Sequence, residues 1–281
     1  MKKYSYKEKK LIDFYEISAE YLTIYDITDK DMYYNLDGDV ECFPAGLTVL
    51  VTALVALKYR KLDDVFLVGD EQIILHDFID PFRGFIKVGE EWTFKELLYF
   101  LLMKSASDAA YAIAYNVMES LPEYDNLSMN KKMIKFVDLM NEYAKSIGCK
   151  NTHFETINGS DIINKKMARH VSTTEDLVKI MIETLKYPEL MEIMKTKKIN
   201  FQRGNSFYYL TNSNRCILED DECYCRHLIG GVVGTTNYAG DCLLCVGEGE
   251  GHVFVTAMVN AHSSQKRFED TKIIYDSLFG D

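Results

Sequence analysis

The stretch "ECFPAGLTVLVTALVALKY", residues 41–59, decides how this chain is read. A turn at Pro44 leads into a helix that is apolar almost all round. Such a helix normally lies through the centre of a domain and not along its surface. Its first turn, Gly46-Leu47-Thr48-Val49, then falls where several elements converge. That turn presents a glycine, two aliphatic side chains and a single hydroxyl.

Outward from this helix the periods alternate. "AEYLTIYDITDKDMYYNLDGD" (19–39) reads as two short strands about a polar turn, and "VFLVGDEQIIL" (65–75) as another short strand pair. "EWTFKELLYFLLMKSASDAAYAIAYNVMES" (91–120) opens on Thr93 and Glu96, the spacing of a capping box. It predicts a helix to Met103, a break near Lys104–Ser107 and a second helix from Asp108. "NKKMIKFVDLMNEYAKSIGCK" (130–150) has helical periodicity and a C-cap at Gly148. "STTEDLVKIMIETLKYPELMEIM" (172–194) begins with the spacing of a second capping box, Ser172 to Glu175, and breaks before Pro188. "GGVVGTTNYAGDCLLCVGEGEGHVFVTAMVN" (230–260) then reads as three strands with a hairpin turn at "GEGEG", and "SQKRFEDTKIIYDSLF" (264–279) as a closing helix. Strands at both ends enclose a helical middle, about 91–195, with no linker or repeat. The expectation is one α+β domain over 1–281, an antiparallel sheet built from both chain ends with a helical subdomain.

Composition narrows the function classes. Of 281 residues, 47% are hydrophobic and 27% charged, as in ordinary globular proteins. Lys plus Arg total 32 against 43 Asp plus Glu, a net charge of −11, which argues against a nucleic-acid partner and against adsorption to anionic lipid. No run approaches the roughly 18 apolar residues of a membrane segment. The N-terminus is basic but lacks the apolar core of a signal peptide. The seven Cys are odd in number and irregular in spacing, which suggests free thiols in a reducing compartment. A cytoplasmic location is expected on these grounds, or an extracytoplasmic one if a leader has been removed. Cys216, Cys223-x-Cys225 and Cys242-x-x-Cys245 superficially suggest zinc. However, residues three apart on a strand face opposite sides, so buried thiols are the preferred reading. No metal-ligand spacing joins the six His, and no metal or cofactor is expected.

The quoted segments resemble the serine D-alanyl-D-alanine carboxypeptidases, low-molecular-weight penicillin-binding proteins of the β-lactamase/transpeptidase-like fold. "FPAGLTVLVTALVAL" is similar to the family's "YPASLTKIMTALVAL", and "LLYFLLMKSASDAAYAIA" to "LLYALLLPSGNDAAVALA". "MNEYAKSIGCKNTHFETINGSD" resembles "MNEKAKELGMKNTHFVNPHGLD", and "GGVVGTTNYAGDCL" resembles "GIKTGYTNEAGYCL". The likeness runs from about residue 19 to 279 and implies that fold. Family chemistry joins a Ser-x-x-Lys nucleophile and base, a Ser-x-Asn loop and a Lys-Thr-Gly strand that holds the substrate carboxylate, with backbone N–H groups as the oxyanion hole.

At the matching positions this chain has Gly46 for the nucleophile and Val49 for its lysine. Ser105 is kept, but Ser107 stands for the asparagine. The strand triplet reads Val232, Val233, Gly234. Flanking residues match on both sides of each motif without insertions. The losses are coherent: removing lysines and hydroxyls together avoids leaving an unpaired buried charge, whereas removing the serine alone would not. The resemblance therefore implies a carboxypeptidase-like protein without acyl transfer. Its residual cleft, at Ser105, Ser107, Gly234, Thr235 and Thr236, would take a peptide or small molecule. One alternative is an active serine hydrolase with rewired residues, such as Ser105 with Lys104, although adjacent residues point apart. Another is a non-catalytic module for cell-wall peptide or a protein partner, weakened for the peptide by the missing cation at Val232. His153 and His170 are read as structural or cleft-edge groups. The backbone N–H groups of Gly46 and Thr235 are expected to survive as donors. The family's C-terminal β-domain is not expected here.

Overall fold

The computed structural model describes residues 17–69, 83–161 and 169–280. Strands β1 (Tyr21–Asp26) and β2 (Asp31–Leu36) form the expected N-terminal hairpin. They join β7 (Leu228–Thr236), β8 (Gly240–Gly249) and β9 (His252–Ala261) in one antiparallel sheet of order β2-β1-β9-β8-β7. The two chain ends meet where β1 lies against β9, with Tyr21 opposite Val259. The class is α+β.

Alternation along the strands builds two apolar layers. Val232, Cys242, Leu244, Val246, Val255 and Ala257 face the helical side. Val233, Leu243, Cys245 and Phe254 face the closing helix α7 (Ser264–Phe279). Cys242 and Cys245 thus lie on opposite faces, and all seven thiols are buried and unbridged. The "GEGEG" segment is a hairpin turn between β8 and β9.

The helix of the opening stretch is α1 (Val49–Tyr59), entered through a tight 3-10 turn over Ala45–Thr48. Val49 through Ala56 are all fully shielded from water. Around it stand α2 (Phe94–Lys104), α3 (Ser107–Glu119), α4 (Met129–Ser146) and α5 (Thr174–Thr184). Each Leu or Val buried there stabilises the fold by roughly 1.5–3 kcal/mol, enough to hold a helix with no polar face at the centre. The Thr93–Glu96 capping box is present at the start of α2, and Glu96 also meets Arg203.

Several details depart from expectation. Thr173, not Ser172, caps α5 by accepting from the Asp176 N–H, while Ser172 exchanges backbone hydrogen bonds with Cys42. The strand β3 (Val65–Leu67) pairs with β4 (Glu91–Thr93), a partner distant in sequence, and the remainder of the expected 65–75 pair lies outside the described residues. A further hairpin, β5 (Lys198–Arg203) with β6 (Ser206–Thr211), follows α6 (Pro188–Met194) where no element was expected.

Candidate active site

Three chain segments meet at the first turn of the central helix. Gly46 is buried beneath Ser105, the residue that ends α2, and against β7. A Cβ placed on Gly46 would stand 3.0 Å from Ser105 Oγ, 3.1 Å from Ser105 Cβ and 3.2 Å from the Val233 carbonyl oxygen. A Cβ on Gly234 would meet Gly46 N at 2.4 Å, so strand and turn touch backbone to backbone there. Only glycine permits that approach at position 234. The family positions predicted from sequence therefore do converge in space.

What they bring together is largely apolar. Val49 and Val232 are 0% exposed and belong to the main core, and Val233 faces the α7 layer. Ser105 is buried and held at φ +49°, a left-handed conformation that costs a non-glycine residue roughly 1 kcal/mol. Its hydroxyl donates to the Val233 carbonyl at 2.7 Å. The Ser107 hydroxyl accepts from Asn158 Nδ2 at 2.7 Å. Thr235 Oγ1 donates to Asp241 and accepts from Arg267 Nη1, and Thr236 Oγ1 accepts from the Ala239 N–H. Each hydroxyl that sequence placed here has a partner within the protein.

The walls are fixed by groups that sequence reading passed over or left as structural. His170 lies behind the first turn. Its Nδ1 accepts from the Glu155 N–H at 3.0 Å, so its proton resides on Nε2, which donates to Thr48 Oγ1 at 3.0 Å. Thr48 in turn donates to the Ala45 carbonyl at 2.8 Å, closing the 3-10 turn. Burial, reinforced by His153, pushes His170 down to about 3, so the ring is neutral at physiological pH. Gly159 closes on the same turn: a Cβ there would overlap the Ala45 carbonyl at 1.8 Å. Arg267, buried on α7, donates to the Gly234 carbonyl at 2.9 Å and lies 3.3 Å from Asp241, which anchors the end of β7. Arg267 shares the inward side of α7 with the buried polar residues Asp270 and Thr271, so the sequence pattern carried no distinct signal for it. The rings of Phe43 and Tyr238 meet at 5.6 Å beside the turn, where the Tyr238 N–H also donates to Asp161.

Among the described residues, no lysine stands with these groups. Lys104, next to Ser105, reaches a different surface, a groove lined with residues 83–87 and 205–210. Ser105 therefore has a carbonyl partner and, among the described residues, no amine to take its proton. Among the described residues, Asp26, Asp29 and His252 form a group able to offer three ligand atoms to a metal. Both Asp26 oxygens already serve the β1–β2 turn and His252.

A five-stranded sheet covered by one helix on its back, with a buried helix whose first turn abuts the edge strand, defines the transpeptidase class of fold. The structure superposes on the Streptomyces K15 DD-transpeptidase with a TM-score of 0.79 over 92% of this chain and 96% of that one, at 23% identity. A penicillin-binding protein homologue from Mycobacterium tuberculosis gives 0.76 at 21% identity, covering 92% of this chain and 90% of that one. At these identities the likeness carries the fold. The sequence profile of the D-alanyl-D-alanine carboxypeptidase family matches residues 6–263, and the chain belongs to that family. Among its curated relatives, the D-alanyl-D-alanine endopeptidase of Escherichia coli is 26% identical over 82% of this chain and 67% of its own length. The carboxypeptidase DacF of Bacillus subtilis is 27% identical over 76% of this chain and 49% of its own. The chain thus spans between about half and two thirds of the length of these relatives. Among the described residues no helix is long and apolar enough to cross a membrane.

Proposed function

We propose that this chain is a carboxypeptidase-family protein that does not perform acyl transfer and serves through binding. One observation carries the reading: the only family hydroxyl retained, Ser105, is spent on the Val233 carbonyl, in a site whose nucleophile and lysine positions are Gly46, Val49 and Val232. Acyl transfer needs a nucleophile activated by a base. Ser105 Oγ donates its proton to an oxygen that cannot remove it, and the neutral His170 ring is engaged by Thr48 and Glu155. The carboxylate of a D-Ala-terminated peptide would also find valine where the family supplies a cation.

Fluorescent penicillin tests this directly. We expect no covalent labelling of the wild-type chain above a heat-denatured control. Labelling abolished by Ser105→Ala would instead establish the rewired-hydrolase reading.

A further inference from the structure

A groove on the Lys104 side of the molecule gathers three cations, none of which forms an ion pair among the described residues. It encloses about 530 Å³ between residues 83–87 and β6, with the end of α2 as its floor. Arg83, Lys87 and Lys104 line it, and among the described residues no carboxylate makes an ion pair with any of them. Among the described residues, Lys87 Nζ meets only the Ser206 hydroxyl, and Arg83 Nε is buried without a hydrogen-bond partner. In a chain of net charge −11, that grouping is against the average field. Exposed aromatics accompany it: Phe85, Phe207 and Tyr209 are 74%, 59% and 78% exposed on the same groove. An exposed apolar surface rimmed by charge marks an interaction site more often than a bare surface does.

The shape of the groove points to one kind of occupant. The sheet of β5 and β6 has two strands, so among the described residues the β6 edge away from β5 pairs with no strand. Alternate residues along that edge direct their N–H and C=O groups outward. The opposite wall is held in place: the Gly84 and Ile86 N–H groups donate to buried Asp108, at 2.8 and 3.2 Å, and the Lys87 N–H donates to Glu90. Partial burial lowers the pKa of Lys104, and a carboxylate placed beside it would favour the charged form through attraction. We propose that this groove docks an extended acidic segment of a partner protein. The segment adds a strand to β6 and sets its carboxylates against Lys87, Lys104 and Arg83, with apolar side chains on the aromatic rim. Backbone pairing would supply affinity and the alternating side chains specificity. The proposal does not depend on the loss of acyl transfer, whose test is a covalent label elsewhere on the chain.

The probe is a capped peptide of alternating Glu and Val, about eight residues long, the length of an ordinary strand. Binding to the intact chain is measured by calorimetry. We expect a Kd below about 1 mM that weakens with salt, and no binding of the Lys-Val counterpart. Lys104→Glu should weaken binding at least about tenfold, with circular dichroism verifying that the variant is folded. N-methylation of alternate peptide residues keeps every charge but removes the ladder donors, and should weaken binding by a similar factor. Equal binding of the Lys peptide, or no binding at about 1 mM, overturns the site. Full binding of the N-methylated peptide overturns strand addition. An unchanged Kd in Lys104→Glu means the lysines only blunt an exposed edge.

Discussion

Gly46→Ser restores the family nucleophile position and measures how completely Ser105 occupies the space beside it. Gly46 does not adopt a positive φ, so its backbone accepts a side chain without torsional strain. Its neighbours are the obstacle. The new Cβ would meet Ser105 at 3.0 and 3.1 Å and the Val233 carbonyl at 3.2 Å, a few tenths of an ångström inside ordinary contact. Neither neighbour is a flexible chain end: Ser105 is hydrogen-bonded at a helix terminus, and Val233 O belongs to a strand. Overpacking of this kind costs typically 1–3 kcal/mol, and contacts this close to allowed values place the cost at about 1–2 kcal/mol. Ser105→Gly removes two of the three contacts and suits the left-handed conformation at 105, so in that background Gly46→Ser should cost less than about 0.5 kcal/mol. The resulting coupling of about 1 kcal/mol is measurable by a double-mutant cycle. Trp92, the sole tryptophan and fully buried against Phe100, reports urea unfolding. With a slope of about 3 kcal/mol/M, the single variant's midpoint should fall by about 0.5 M. Coupling within about 0.3 kcal/mol of zero would refute the described packing. The variant should also stay unlabelled by fluorescent penicillin, because valine occupies both motif lysine positions, 49 and 232.

Other perturbations address the same construction. Val49→Lys or Val232→Lys inserts an unpaired ammonium into the sealed core and should destabilise by about 3–5 kcal/mol; a loss under about 1 kcal/mol would mean that water reaches these positions. His170 takes a proton near 6.5 when unfolded but only near 3 when folded, so the unfolded state binds more protons between those values. Its contribution is therefore complete above pH 6.5 and is lost as pH falls. The wild type should lose about 2 kcal/mol between pH 6.5 and 5 relative to His170→Asn, and parallel pH profiles would reject a neutral buried ring. All seven thiols should react with a chromogenic disulfide in denaturant, but only slowly in the native protein, where burial raises Cys242 to about 12. A fast native phase would contradict their placement.

Much of the architecture could be read from the chain because local signals agreed with long-range packing. An all-apolar helix after Pro44 belongs at a centre, and α1 is there. Thr93 with Glu96 and the turn at Glu250–Gly251 act through neighbours in sequence, so they were legible. The β3–β4 pairing was not, since strand partners are chosen by tertiary contact and the pattern within 65–75 is silent on them. Ser172 and Thr173 both precede acidic residues, and only the hydrogen bonds of Ser172 to Cys42 settle which is free to cap α5. In the β5–β6 hairpin, β5 alternates half-buried with exposed residues and β6 buries only Tyr208 and Leu210, so its pairing depends on packing against α2. At the candidate site, the residue types were visible but not their engagements. That Ser105 bonds to a strand carbonyl, that His170 braces Thr48, and that Arg267 reaches the back of β7 all depend on segments far apart in the chain.

The contact between Gly46 and Ser105 bears on how such a chain can change over generations. Recovering a hydroxyl at 46 means displacing Ser105, and recovering ammonium groups at 49 and 232 means charging a dry interior. On the proposed reading acyl transfer needs these groups together, and each substitution is expected to lower stability when taken alone. On the proposed reading, packing itself biases random drift away from hydrolysis, a ratchet that requires no selection against activity. Solvent-facing features such as the β6 groove carry no comparable penalty, and they are where new roles can be acquired by single substitutions.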